Sequence, residues 1–215
     1  MSFIVPFPGG ASKVTIEFLS AGAVFDSAKS HNFPGVSLGG LSADRIIVIL
    51  CCVQQTEGTI SCTINGVSAT QFANIDNSIR RARGFTASVP TGLTGDIVIS
   101  TTGFTANYQY AAYAIYGAPS ATVYDFEAKN TVPISLSIDV PANGAACAAV
   151  FDAVSATATW SGVTEDHDSV VTNGAVFHHT TSGSDEFTTA QTPLAIGITP
   201  TSVSYVTYLG CSFGP

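Results

Sequence analysis

Hydrophobic and polar positions along this chain follow a period of two, and no window carries the 3.6-residue period of a long amphipathic helix. Lys13 to Leu19, Asp96 to Thr101 and Ile134 to Val140 alternate as half-buried strands do. Arg45 to Val53 is instead an almost unbroken apolar, β-branched run, which predicts a central strand covered on both faces. Tyr108 to Tyr116 predicts a strand with Tyr108, Tyr110 and Ala112 on one face and Ala111, Tyr113 and Ile115 on the other. Ala145 to Phe151 is small and apolar, so layers should approach closely there. Further strands are predicted at Thr59 to Ile64, Val67 to Phe72, Arg83 to Val89, Thr157 to Trp160, Val170 to Thr172, Ala175 to Thr180, Glu186 to Thr189, Leu194 to Ile198 and Val203 to Phe213.

Punctuation between these runs supports the same picture. Asn65-Gly66 and Asn173-Gly174 are two-residue hairpin signals, because a type I′ turn needs positive φ at both central positions. Short strands at regular spacing, separated by Gly, Pro and Asn, predict an all-β chain: a two-sheet antiparallel β-sandwich, jelly-roll-like. Residues 1–40 read as an N-terminal arm or first strand, and residues 41–215 as the sandwich domain.

Composition narrows the function. Only 10% of the 215 residues are charged, so few ionisable groups are offered to catalysis. The formal net charge of -8 argues against nucleic acid, whose phosphates need clustered Lys and Arg. The basic cluster Arg80, Arg81 and Arg83 reads as a solvated strand edge, with Arg81 and Arg83 on one face and Arg80 on the other. Cys51, Cys52, Cys62, Cys147 and Cys211 fit no zinc spacing and read as buried reduced thiols, pointing to a reducing compartment. A bridge from Cys51 or Cys52 to Cys62 is the geometric alternative. Met1 to Gly10 lacks the basic region of a secretory signal, and no apolar run reaches the roughly 20 residues of a membrane helix.

Several groups carry residue types that could form a site. Gly35-Val36-Ser37-Leu38-Gly39 matches the nucleophile-elbow pattern, but a Pro-Gly turn precedes it where a strand should. Glu165-Asp166-His167-Asp168, with His178 and His179, carries metal-ligand types. It lacks calcium-loop spacing, and the adjacent histidines of a strand diverge, so a solvated loop is the expectation. Asp185-Glu186 is an acidic pair at a turn; a glycosidase would need two carboxylates facing each other across a cleft. Tyr108, Tyr110, Tyr113, Tyr116, Tyr124 and Trp160 read as sheet packing, or else as a platform for sugars. No catalytic, metal or cofactor residue is therefore assigned.

The phrases Leu41-Ser42-Ala43-Asp44-Arg45-Ile46-Ile47-Val48, Ile64-Asn65-Gly66-Val67-Ser68-Ala69-Thr70, Val89-Pro90-Thr91-Gly92-Leu93-Thr94-Gly95-Asp96-Ile97-Val98 and Trp160-Ser161-Gly162-Val163-Thr164-Glu165-Asp166 give the chain a wording of its own. In these it resembles a group of small structural proteins of tailed bacteriophages and prophages, over most of residues 41–213. The resemblance implies a non-enzymatic virion component of sandwich or jelly-roll type, assembled in the bacterial cytoplasm. It also implies packing as an oligomer or on a capsid or tail lattice. A host-surface carbohydrate binder of the tail or fibre is the alternative. Neither role involves nucleic acid, membrane or a cofactor.

Overall fold

A computed structural model describes residues 12–55, 57–103, 105–154 and 156–215. The described residues contain strands and no helix. The first half runs β1 (Thr15–Val24), β2 (Ser30–Ser37), β3 (Ile46–Gln55), β4 (Ile60–Ile64), β5 (Val67–Ser68), β6 (Thr70–Asn77), β7 (Arg80–Ser88), β8 (Thr94–Thr101) and β9 (Thr105–Tyr116). The second runs β10 (Asp125–Lys129), β11 (Ile134–Val140), β12 (Gly144–Asp152), β13 (Ala158–Ser161), β14 (Thr164–Asn173), β15 (Val176–Phe187), β16 (Gln191–Pro200) and β17 (Thr207–Phe213).

The antiparallel sandwich expected from the alternation is present, and it is built twice. In the first half, sheet β1-β9-β3-β7-β6 packs on sheet β2-β8-β4-β5; in the second, β10-β17-β12-β15-β14 packs on β11-β16-β13. First strand pairs with last, second with second-last and third with the one before that, as in a long hairpin rolled up into a jelly roll. The registers agree in detail. Leu50 lies between Gly84 and Ala111 as Ala149 lies between Ser182 and Leu209. A bulge between Gln71 and Ala73 on β6 recurs between Glu165 and His167 on β14, opposite the corresponding pair of residues.

The long-strand sheets of the two sandwiches face each other, giving four layers. Their contact is an apolar core in which Ile46, Val48, Leu50 and Cys52 meet Ala145, Cys147, Ala149 and Phe151. Alternate residues Ile47, Ile49, Cys51 and Val53 face the outer sheet of the first sandwich. This double coverage explains the unbroken apolar run from Ile46. β12 is buried along its whole length, its alanines allowing close layer spacing on both sides. Across the contact β1 lies against β15 and β14, β3 against β12, and β6 against β10 and β17. Strand order is thus reversed between the inner sheets, and the halves are related by a pseudo-two-fold axis, as subunits of an isologous dimer are.

Residues 12–40 are integral to the first sandwich rather than an appendage to it. β1 pairs with β9 and β2 with β8. The small residues after Leu19 continue the strand because the ring of Tyr110 lies on Gly22, where a Cβ would stand 3.2 Å from it. Residues 1–11 of the expected arm lie outside the described residues.

Both hairpin signals mark turns. Asn65 (φ 49°) and Gly66 (φ 79°) join β4 to β5, and Gly174 (φ 62°) opens the turn from β14 to β15. Arg45, fully buried, holds one end of the first sandwich together. Its guanidinium donates to the carbonyls of Val89, Gly39, Gly40, Thr91 and Gly92 at 2.7–3.2 Å. Carbonyl dipoles on every side of the guanidinium offset its desolvation, with no carboxylate among these bonds.

Candidate functional site

Two regions of the inter-sheet contact gather the candidate functional groups. At one end, where β3 finishes and β7, β9 and β15 begin, the core turns polar. Arg80, only 1% exposed, donates from Nη1 to Gln109 Oε1 (2.6 Å) and from Nη2 to His178 Nδ1 (2.8 Å). Gln109 Nε2 donates in turn to the His179 carbonyl and to Thr180 Oγ1, both at 2.9 Å. The Asn107 carboxamide lies 3.0 Å from His178 Nε2 and also bonds Gln54. Because a guanidinium only donates, His178 Nδ1 must present a lone pair, so the ring is neutral; its Nε2–H then needs the oxygen of the Asn107 carboxamide, not its nitrogen, turned toward it. Burial, helped by the neighbouring Arg80 charge, lowers the His178 pKa to about 4. The ring of Phe25 covers it, centroids 4.4 Å apart.

His179 points to the other face of β15. Its Nδ1 lies 3.3 Å from Asp152 Oδ2 and its Nε2 2.5 Å from Asp168 Oδ1. The free oxygens of those carboxylates accept from the Val154 and Ala158 amides. Burial alone would lower the His179 pKa, but the two carboxylates outweigh it and hold the pKa above its ordinary value. The imidazolium ties β12, β14 and β15 together. A carboxylate-oriented histidine is a common acid–base device, yet here both ring nitrogens are engaged and the side chain is fully buried.

The second region is the open edge of the same contact, between β6 and β10. Phe72 and Phe126 meet edge to face at 5.9 Å, and Phe72 lies over Gly84, where a side chain would collide with its ring. A groove of about 460 Å³ opens there, its lining including Thr70, Phe72, Thr86, Val123, Tyr124 and Phe126. Tyr124 is 60% and Phe126 46% exposed. A second groove of about 500 Å³, at the far end of β6, is lined by residues that include Asn77, Asn130, Val132, Val203 and Tyr205.

The residues singled out from sequence fall as follows. Gly35 to Gly39 spans the end of β2, with a register shift before Val36, and no helix follows Ser37, so the elbow geometry is not formed. Glu165 to Asp168 is not a solvated loop but part of edge strand β14, half covered by the first sandwich. His167 stacks on Phe18 and its Nε2 bonds Ser169, so the three histidines do not converge. Among the described residues no three His, Cys, Asp or Glu side chains are placed to hold a metal ion. Asp185-Glu186 lies within β15 rather than at a turn; Glu186 pairs with Lys13 (2.5 Å) and accepts from the Ile16 amide. Tyr108, Tyr110 and Tyr113 are core residues on the faces expected of them, and Trp160 donates to Thr181.

The arginine cluster is the clearest correction. β7 is not an edge, since β6 pairs beside it; Arg80 is buried between the two sandwiches against Gln109 and His178, and Arg83 is buried reaching across to Ile75 and Asp76 of β6, with Arg81 half-buried. Arg83 pairs with Asp76 at 2.7 Å. All five cysteines are free and buried, and Cys147 and Cys211 face each other at 3.7 Å on paired strands. The Arg45 clamp and the Phe72–Phe126 edge were not singled out from sequence. The apolar content of Val123, Tyr124 and Phe126 was the one available signal for the edge. No protein-family model matches the chain, and neither a curated protein nor a solved structure matches it.

Proposed function

We propose that the chain is a non-enzymatic structural subunit of a bacteriophage particle, packing on the capsid or tail lattice as a decoration or accessory protein. One observation carries this reading. Arg80, His178 and His179, which chemistry could use, are buried and engaged by neighbouring side chains, whereas large apolar side chains stand exposed along the β6–β10 edge. Such a distribution suits a surface that is covered on assembly. The phrases shared in style with phage structural proteins point the same way. Quantitative mass spectrometry of purified particles tests it. High copy number supports a lattice subunit, a few copies point to a tail-tip or fibre role, and absence from particles refutes the reading.

A second reading, a host-surface carbohydrate binder, draws on the aromatic and hydroxyl side chains of the groove by Tyr124. A glycan array probed with the chain and with Tyr124→Ala distinguishes it: hits lost in the variant support it, and an array without hits removes it.

A further inference from the structure

The β6–β10 edge is the continuation of the contact between the inner sheets, and the molecule's own pseudo-symmetry shows how such an edge is closed. At the opposite edge Phe18 is covered by His167, while Lys13 and the Ile16 amide clasp Glu186. Phe126 holds the place equivalent to Phe18, since it pairs with Cys211 as Phe18 pairs with Tyr113. Yet it stays 46% exposed, with Tyr124 beside it at 60%. We propose that a second copy of the chain closes this edge, the two β6–β10 edges meeting about a two-fold axis that crosses the middle of β6.

Charge favours a second copy through this face. The chain carries a net -8, and Arg45, Arg80 and Arg83 are buried, so copies repel each other over most of their surface. Along β6 the single ionisable residue is Asp76, neutralised by Arg83 at 2.7 Å and Arg81 at 3.6 Å. On β10 Glu127 is paired with Lys129, and Asp125 accepts from the Phe126 and Asp139 amides. The edge therefore carries little net charge, with the exposed Phe126 and Tyr124 set among the uncharged polar side chains Thr70, Gln71 and Asn74 of β6.

Shape sets the orientation. β6 has eight residues and spans about 26 Å, with one groove at each end. A two-fold axis across its middle brings the first groove of one copy over the second groove of the other, and the reverse, as isologous contact requires. Tyr124 and Phe126 then meet Val132, Val203 and Tyr205 of the other copy. The amides of Asn77 and Asn130 rim that second groove and offer the Tyr124 hydroxyl the polar partner that a buried phenol needs. In return, Thr70 and Gln71 in the first groove meet Tyr205.

This deepens the structural-subunit reading, on which its biological purpose rests, but its test is separate from particle composition. Sedimentation velocity of the full chain over a concentration series is expected to show a monomer–dimer equilibrium, weakened at least about tenfold by Tyr124→Asp or Val132→Asp. Unchanged thermal melting of both variants shows that they fold. Mixed Tyr124→Cys and Tyr205→Cys chains are expected to form a mixed disulfide dimer on oxidation. A chain that stays monomeric throughout, or a dimer indifferent to both aspartates, overturns the proposal. Crosslinking of Tyr124→Cys only to itself overturns the orientation. Incorporation into particles by a strictly monomeric chain would sink this inference and leave the virion reading standing.

Discussion

The polar end of the inter-sheet core and the open β6–β10 edge belong to one contact surface, yet they treat side chains in opposite ways. At the polar end, groups that water would normally solvate are sealed away and bonded to one another: both Nη atoms of Arg80 to Gln109 and His178, and, on the far face of β15, His179 to Asp152 and Asp168. At the open edge, groups that would normally be sealed stand in solvent, with Phe126 and Tyr124 the foremost. Burying a polar group is tolerable only when its partners are already in place, so the first region is committed to holding the fold. Exposed aromatic surface is unfavourable until something covers it, so the second region is available for assembly.

The largest expected effect comes from breaking the sealed region. Arg80→Ala leaves the Gln109 and His178 acceptors buried without a donor and should cost about 4 kcal/mol in urea unfolding. It should also raise the His178 pKa, because the Arg80 charge, after burial, helps to lower it. A loss under about 1 kcal/mol would show that the polar end does not tie the fold together.

Next in size is the acid response. The native state refuses a proton at His178 until about pH 4, while the unfolded chain takes one near 6.5. Stability from this group is therefore complete above 6.5 and falls as pH drops toward 4, by about 3 kcal/mol. The half-buried His167, whose pKa burial also lowers, adds a smaller loss of the same sign. Comparing unfolding free energies of the wild type and His178→Asn from pH 7 to 4 isolates the main term; parallel curves would contradict it.

His179 works in the opposite sense. Its pKa is raised in the folded state, so its contribution is complete below 6.5 and is lost as pH rises through the folded value. Asp168→Asn should cost about 2 kcal/mol at pH 6 and flatten this alkaline decline, read in the same unfolding series. A decline that persists unchanged in the variant would assign it to other groups.

The smallest effect on stability is expected at the open edge. Tyr124→Ser should change unfolding free energy by no more than about 0.5 kcal/mol, because the side chain makes little of the folded core. A larger loss would place Tyr124 with the sealed region and remove the contrast.

Legibility from sequence differed sharply between these regions. Strand positions and the division of Tyr108 to Ile115 between two faces follow from a period of two, and both hairpin turns from their Asn-Gly pairs; each is a local property. The doubling of the sandwich was not legible, because equivalent positions carry different side chains: Leu50 answers to Ala149, and Tyr113 to Cys211. Arg80, Arg81 and Arg83 looked like an edge because charge on a strand usually marks one. Whether a strand is an edge depends on whether another strand, here β6, pairs alongside it. The acidic run Glu165 to Asp168 misled for a related reason, since pairing with β15 turned a polar stretch into a strand.

By itself the sequence determined the class of structure: all-β, antiparallel, built of short strands, poor in charge and rich in buried thiols. Alternation and turn chemistry act between near neighbours, so they can be read along the chain. Only the tertiary structure decided that two jelly rolls face each other about a pseudo-two-fold axis. It alone locked the histidines between Arg80 and two aspartates, and left one of two equivalent edges uncovered. Those outcomes depend on which strands meet across the layers, and that contact is set by the summed packing of residues as much as 170 positions apart.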